Sequence, residues 1–367
     1  MSQHEVSGNM HMHTPYSDGE GWHGEIAEAG IKAGLDFVVV TDHNIWIDGV
    51  EGYYENEHGR ILLLTGEEVH NSRREPQASH FLAYGAEKEL SQFANNPQQL
   101  VNETIEAGGY GFLAHPHEPG LPDLGIEDLG WHDWEIEGYT GLEIWNYMSS
   151  FLEKMSREID KLPFKPIWLQ KLVALRVALN PEKFMNGANQ KTLNFWDELL
   201  AEGKQIVAVG NSDAHATPMN LGPIKRIIFP YDYLFTAVNT HLILSAPLSD
   251  DVSHDKQLIY RAIGKGNSWI AYDIPAKTDG FKFKAKSKTK GSMGERIRFQ
   301  NGATLQVSAP QPCTITLIRQ GEVVATAVNE THLTFHATQA GAYRVECHIP
   351  YLGQNRGWIY SNPIFLV

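Results

Sequence analysis

The sequence predicts an α/β fold, a mostly parallel sheet or barrel, followed by a small antiparallel β-sandwich. Three observations carry this. Short apolar runs alternate with helix-like stretches over the first three quarters of the chain, glycines and prolines punctuate the changes, and apolar–polar alternation sets in near residue 295.

The predicted strands begin near residues 8–13 and recur at 36–40 (DFVVV), 61–64 (ILLL), 80–84 (HFLAY), 110–114 (YGFLA), 141–145 (GLEIW) and 205–209 (QIVAV), about seven in all. Residues 22–34 set Ile26, Ala29 and Ala33 on one helical face and stop near Gly34; residues 97–108 open on Pro97 and stop at Gly108 and Gly109. Folds of this kind place their chemistry at the C-terminal ends of the strands. Residues 150–203, including IWLQKLVALRVAL at 167–179, read as a helical insertion: a lid, a packing element or the surface of a homo-oligomer. A further helix is expected at 255–264, and the basic stretch 282–290 (KFKAKSKTK) reads as a connector. The expected division is one large domain over 1–280 and a sandwich over 290–367.

The chain of 367 residues carries a net charge of −14, which repels nucleic-acid duplexes and anionic membranes; no basic patch overrules that. No stretch approaches the roughly 20 apolar residues that cross a bilayer. MSQHEVSGNM lacks the pattern of a secretory signal, so a cytoplasmic location is expected. Cys313 and Cys347 can pair or remain buried thiols, but they make no disulfide framework.

Histidine is the informative residue, with 17 copies. His11 and His13, two apart at a strand end, can reach one ion. Asp18 follows in a polar turn. Thr41-Asp42-His43, Glu67-Glu68, His80, His115-Pro116-His117 and Asp213-Ala214-His215 then mark successive strand boundaries. Burying so many ionisable groups together without cations is costly, and histidine with carboxylate is a donor set for Zn, Mn or Fe.

HMHTPYSDG (11–19), TDHN (41–44), GEE (66–68), HFLAYG (80–85), AHP (114–116) and NSDAH (211–215) resemble, in order, the motifs of the polymerase and histidinol phosphatase (PHP) superfamily of metal-dependent hydrolases. The resemblance covers residues 9 to about 272. GLEIWN (141–146), FWDELLAEGK (195–204) and SNPIFLV (361–367) are similar to its carbaryl-hydrolase-like branch. It implies a distorted (β/α)7 barrel holding two or three divalent ions. His11, His13, Glu68 and Asp213 would hold the first. Glu68 would bridge to a second with His80 and His115, and Asp18, His43 and His215 would hold a third. Glu68 is preferred over Glu67 because the family's ligand lies two residues after the glycine, here Gly66.

The implied activity is hydrolysis of a small, anionic phosphomono- or phosphodiester, with a hydroxide bridging the ions as the attacking group. The alternatives are an aryl carbamate, carboxylic ester or phosphotriester hydrolase using the same centre, a binuclear amidohydrolase, and a non-catalytic metal-binding scaffold. His117 is a candidate proton donor or a loop cap. Arg73, Arg74, Lys225 and Arg226 are candidate phosphate clamps, though such residues are more often solvated charges. Trp22, Trp46, Trp131 and Trp145 can line a pocket for an aromatic group or pack in the core.

Overall fold

A computed structural model describes residues 4–221, 224–227 and 229–367, with backbone alone at 219–221 and 224–226. In chain order the first half comprises β1 (His4–Asn9), α1 (His23–Ala33), β2 (Phe37–Val40), β3 (Gly52–Asn56), β4 (Gly59–Val69), β5 (Phe81–Tyr84), α2 (Pro97–Glu106), β6 (Tyr110–Leu113) and β7 (Gly141–Asn146). The insertion follows as α3 (Tyr147–Asp160), α4 (Ile167–Ala178), α5 (Pro181–Phe184) and α6 (Gln190–Ala201), leading to β8 (Val207–Asn211). Then come β9 (Pro218–Leu221), β10 (Ile224–Ile227), α7 (Tyr231–Leu234), β11 (Val238–Leu244), α8 (Val252–Lys265) and β12 (Ser268–Tyr272).

The result is a mixed α/β protein built on one large sheet. β1–β2, β2–β4, β6–β7 and β7–β8 pair in parallel, with α1 crossing between β1 and β2 and the helical insertion crossing between β7 and β8. β5 runs against both neighbours. The link from β4 to β5 carries no helix, and so short a helix-free link suits an antiparallel partner. This reversal matters for the site. It brings the N-terminal end of β5, and His80 just before it, to the rim reached by the C-terminal ends of β4, β6 and β7. The expected closed barrel is not what the pairing gives. β1 and β8 meet only at the isolated Met12–Ala214 bridge, and the sheet is not closed.

The central strands are buried on both faces, which is why they read as continuous apolar runs. Val38, Ile61 and Leu63 pack on one side with Ile26 of α1; Phe37, Leu62 and Leu82 pack on the other with Ile259 of α8. Each fully buried side chain of this size contributes about 1.5–3 kcal/mol relative to exposure. Gly34, at φ 80°, ends α1 in the left-handed conformation that glycine adopts without strain. The hairpin β3–β4 was not expected: GYYEN is only half buried and lacks an apolar run. The outer side of α4 leaves Ile167, Trp168 and Leu172 exposed.

The C-terminal strands are β13 (Lys282–Lys286), β14 (Lys290–Ser292), β15 (Arg296–Ile297), β16 (Ala303–Arg319), β17 (Glu322–Ala337), β18 (Gly341–Tyr351), β19 (Gln354–Ser361) and β20 (Ile364–Leu366). They are mostly antiparallel around a second core that includes Phe283, Leu305, Val345 and Trp358. The expected connector at 282–290 is instead largely strand. Phe283 and Ala285 are buried while Lys282, Lys284 and Lys286 face solvent, so the lysines are the wet face of β13. β19 pairs with β12, and Arg344 of β18 forms a buried bidentate pair with Asp197 of α6 at 2.6 and 2.7 Å. Cys313 and Cys347 are buried free thiols. Among the described residues, no helix is long and apolar enough to cross a membrane.

His241 on β11 yields a test of this packing. Its ring stacks on Trp269, with Nε2 3.2 Å from Asp273 and Nδ1 3.5 Å from Glu5. Burial lowers its pKa, but the carboxylates of Asp273 and Glu5 outweigh that and push it up to about 9. A folded value above the unfolded one near 6.5 means the stabilisation is complete below about pH 6.5 and is lost as pH rises through about 9. The difference in urea-unfolding free energy between wild type and His241→Gln should therefore shrink, by up to a few kcal/mol, between about pH 6.5 and 9.5. A difference that stays constant over that range would contradict the ion-paired state.

Candidate metal centre

β4 places Glu67 and Glu68 on opposite faces, because successive side chains on a strand alternate. Glu67 turns outward, and its carboxylate accepts the backbone N–H of Leu90 at 2.9 Å. Burial, together with the neighbouring Glu89 carboxylate, pushes its pKa up to about 9. Glu68 turns inward and is fully buried. Five histidines converge on its two oxygens. Oε2 lies 3.0 Å from His11 Nε2, 3.2 Å from His13 Nε2 and 3.2 Å from His43 Nδ1. Oε1 lies 2.9 Å from His80 Nδ1 and 3.2 Å from His115 Nε2.

Asp213 and Asp18 complete the cluster. Asp213 Oδ1 is 3.2 Å from His13 Nε2 and 3.4 Å from His11 Nε2. Asp18 Oδ1 lies 3.2 Å from His215 Nε2, and its Oδ2 lies 3.7 Å from His43 Nε2. Asp18 arrives through the turn after His13, where Ser17 and Gly19 both donate backbone N–H to the Thr14 carbonyl. Gly19 is obligatory there, since a Cβ would lie 2.1 Å from the His13 carbonyl oxygen. Asp42 holds the same turn from below, accepting from Thr14 N, Thr14 Oγ1 and Ser17 Oγ at 2.6–2.7 Å.

All nine side chains selected from the sequence as metal ligands thus meet in one cluster. Their donor atoms fall into three groups within which every pair lies inside 4.8 Å: His11, His13, Glu68 and Asp213; Glu68, His80 and His115; and His13, Asp18, His43 and His215. The donor set suits a borderline or hard divalent cation. Two ligands each about 2.1 Å from a common ion sit about 3.0–3.4 Å apart in octahedral or tetrahedral geometry, and most of the separations above fall in that range. Several atoms also approach without hydrogen bonding. His13 Nε2, His43 Nδ1 and Asp213 Oδ1 are buried and have no hydrogen-bond partner, although oppositely charged groups lie close by. Cations held within the first and third of these groups would satisfy them: His13 and Asp213 share one group, and His43 belongs to the other. The residues fit a metal centre.

Electrostatics agree. Burial lowers the pKa of His13 and His115, yet Asp213 and Glu68 around the first, and Glu118 and Glu68 around the second, raise both to about 9. Without cations, protons must neutralise this cage; a bound cation takes the place of those protons at the same atoms.

Two participants were missed in the sequence. Glu143, fully buried on β7, accepts from His11 Nδ1, Asn211 Nδ2, Asn146 Nδ2 and the backbone N–H of His115, each at 3.0 Å. Its signal was an acid inside an otherwise apolar strand, GLEIW, where a charge needs partners. His70 stacks on His80 with ring centroids 4.2 Å apart and meets His43 edge-on at 4.9 Å. It lies two residues beyond Glu68, and the two-residue strand period could have found it. His115 and Asp213 adopt φ of 28° and 57°, left-handed backbone that costs of order 1–3 kcal/mol each and persists where surroundings enforce it.

Of the remaining candidates, those whose side chains are described are not brought into the cluster. His117 packs against α6, its Nδ1 3.0 Å from Thr192 Oγ1. Arg74 pairs with Asp133 and Arg73 is exposed. The side chains of Lys225 and Arg226 lie outside the described residues. Trp131 and Trp145 are core residues, and Trp22 is 51% exposed.

No family model matches the chain. An uncharacterized protein of Methanocaldococcus jannaschii is 27% identical over 177 residues, 44% of this chain and 99% of that protein. A two-domain protein of Bacteroides vulgatus, containing a predicted PHP-like metal-dependent phosphoesterase, aligns over 98% of this chain and 95% of its own at 15% identity, with a TM-score of 0.35. The lesion-specific endonuclease PfuEndoQ of Pyrococcus furiosus aligns over 78% of this chain and 64% of its own at 14% identity, with a TM-score of 0.38. At such scores the superpositions carry no functional argument.

The geometry makes two predictions. Glu68→Gln replaces the central carboxylate by a neutral, weaker ligand and should lose at least one bound ion, whereas Glu67→Gln should retain the full complement. Metal analysis after dialysis decides this, and the reverse pattern would put the wrong carboxylate at the centre. Glu143→Gln keeps the size but not the charge that orients His11, so Mn affinity should fall about 10–100-fold. Unchanged affinity in a metal titration would show that Glu143 does not support the site.

Proposed function

We propose that this chain is a metal-dependent phosphoesterase of the PHP superfamily, cleaving a small phosphomono- or phosphodiester. The observation that carries the reading is the placement of five histidines within 3.2 Å of the Glu68 carboxylate, with Asp213 and Asp18 opposite. Bound Mn, Zn or Fe ions, two or three of them, would supply Lewis acidity, acidify water and screen the charge that develops on phosphorus. Three divalent cations against Asp18, Glu68, Asp213 and Glu143 leave the centre net positive on an otherwise acidic protein, which favours an anionic substrate.

In this reading the scaffold is a distorted (β/α)7 barrel of β1, β2 and β4–β8 that stays open between β8 and β1. The catalytic unit spans residues 1 to about 280, and a β-sandwich follows. The chain's own residues divide the work. Glu68 would contribute to holding two of the ions, Glu143 orients His11, and Asp42 sets the loop that carries Asp18. No general acid is assigned, since His117 faces Thr192.

A second reading is favoured by one observation. Among the described residues, Arg74 is paired with Asp133 and Arg73 is exposed, so neither clamps an anion at the centre. A less charged ester, such as a phosphotriester or an aryl carbamate, would suit the same cations. The test loads purified protein separately with Mn, Zn and Fe. Each form is screened against phosphomonoesters, phosphodiesters, phosphotriesters and aryl carbamates. Phosphoester turnover that requires added cation and falls at least 10³-fold in Glu68→Gln is expected. Turnover of carbamates alone would favour the second reading, and metal-independent turnover would overturn both.

A further inference from the structure

A cavity of about 560 Å³ opens beside the cluster, and His215 stands in its wall. His215 is also the residue whose Nε2 lies 3.2 Å from Asp18, so the cavity and the centre share a side chain. Pockets of about 300–1,000 Å³ hold small molecules. Apart from Lys171 and Thr217 the rest of the lining is apolar, and much of it comes from the insertion: Met148, Phe151, Leu152 and Met155 from α3, Ala174 and Leu175 from α4.

The direction of the cavity follows from the fold. α3 begins immediately after β7, and its cap Asn146 donates to both Glu143 and Asp213, fixing the first turn of the helix against the centre. Met148, Phe151, Leu152 and Met155 are spaced three, one and three residues apart, which keeps them on one face as the helix leaves. From Met148 to Met155 the helix rises about 10 Å, close to the length of an extended chain of about eight carbons. Lys171 is the one cation in the lining, and it is exposed. Phe151 and Met155 are buried at 6% and 4% exposure, so the inner wall is shielded from water. The two methionines give a wall that can fit irregular apolar shapes.

We propose that the cavity between α3 and α4 binds an apolar ester group of the substrate, making the natural substrate an alkyl or aryl ester rather than a small hydrophilic phosphate. This rests on the hydrolase reading above and narrows its substrate class. In the reaction, water gives its hydroxyl to phosphorus and the remaining proton to the departing alcohol, while the apolar group stays anchored along α3. Among the described residues neither Arg73 nor Arg74 clamps an anion at the centre; apolar burial would supply the affinity while the cations hold the anionic head.

The test uses Mn-loaded full-length protein and two series of compounds. Binding of n-alkylphosphonates from methyl to octyl, measured calorimetrically, should tighten on the order of threefold per added methylene until the cavity is filled. Ala174→Trp fills the space between α3 and α4, and its metal content reports whether the centre remains intact. In that variant the gain with chain length should flatten. A wild-type Kd independent of chain length overturns the proposal, as does a slope that survives Ala174→Trp. Hydrolysis of p-nitrophenyl alkyl phosphodiesters separates the two levels. Turnover with flat phosphonate binding removes the cavity assignment and leaves the phosphoesterase reading standing. Chain-length-dependent binding without turnover of any ester supports the cavity and removes the phosphoesterase reading.

Discussion

A carboxylate cut off from water has to be neutralised where it stands, and an unpaired one costs several kcal/mol. Glu68 is fully buried at the inner end of β4, with no lysine or arginine of the described residues on its oxygens. Its partners are five histidines, which can meet it either as protonated cations or as neutral ligands to a shared metal. The second arrangement also accounts for the unpaired atoms of His13, His43 and Asp213, which protons alone leave without hydrogen bonds.

The rest of the architecture serves that demand. Reversal of β5 brings His80 to the rim, the Met12–Ala214 bridge brings the ends of β1 and β8 together, and left-handed backbone at His115 and Asp213 aims both side chains inward. Glu143 ties β7, β8, the loop after β1 and the segment after β6 into one network, so the cluster is held from behind by elements distant in sequence. A site built at strand ends, with its supports on adjacent strands, keeps its geometry better than one carried on loops alone. Asp18, its side chain 56% exposed, sits where the cluster faces solvent.

Much of this was legible in the residues. Apolar runs gave the central strands to within a few residues because strands buried on both faces leave no room for polar interruptions. The histidine and carboxylate pairs stood out because they broke those runs at their ends. Part of what escaped was information that spacing does not encode, and part was spacing masked by other residues. The reversal of β5 depends on a helix-free connection, β3 is half buried, and β13 hid its alternation beneath three lysines. Glu143 escaped because its neighbours made it look like part of a core strand, and His70 because the motif pattern ended at Glu68. Arg74 and His117 look alike in sequence whether they face a substrate or a neighbouring side chain; their partners, Asp133 and Thr192, lie 59 and 75 residues away.

The account stands or falls on metal at Glu68. Anomalous diffraction from Mn-soaked crystals, recorded on both sides of the Mn absorption edge, reads this directly. Two peaks should flank the Glu68 carboxylate, one about 2.2 Å from Oε2 and shared with His11, His13 and Asp213, the other a similar distance from Oε1 and shared with His80 and His115. A map with full Mn occupancy elsewhere and no peak at Glu68 would contradict it.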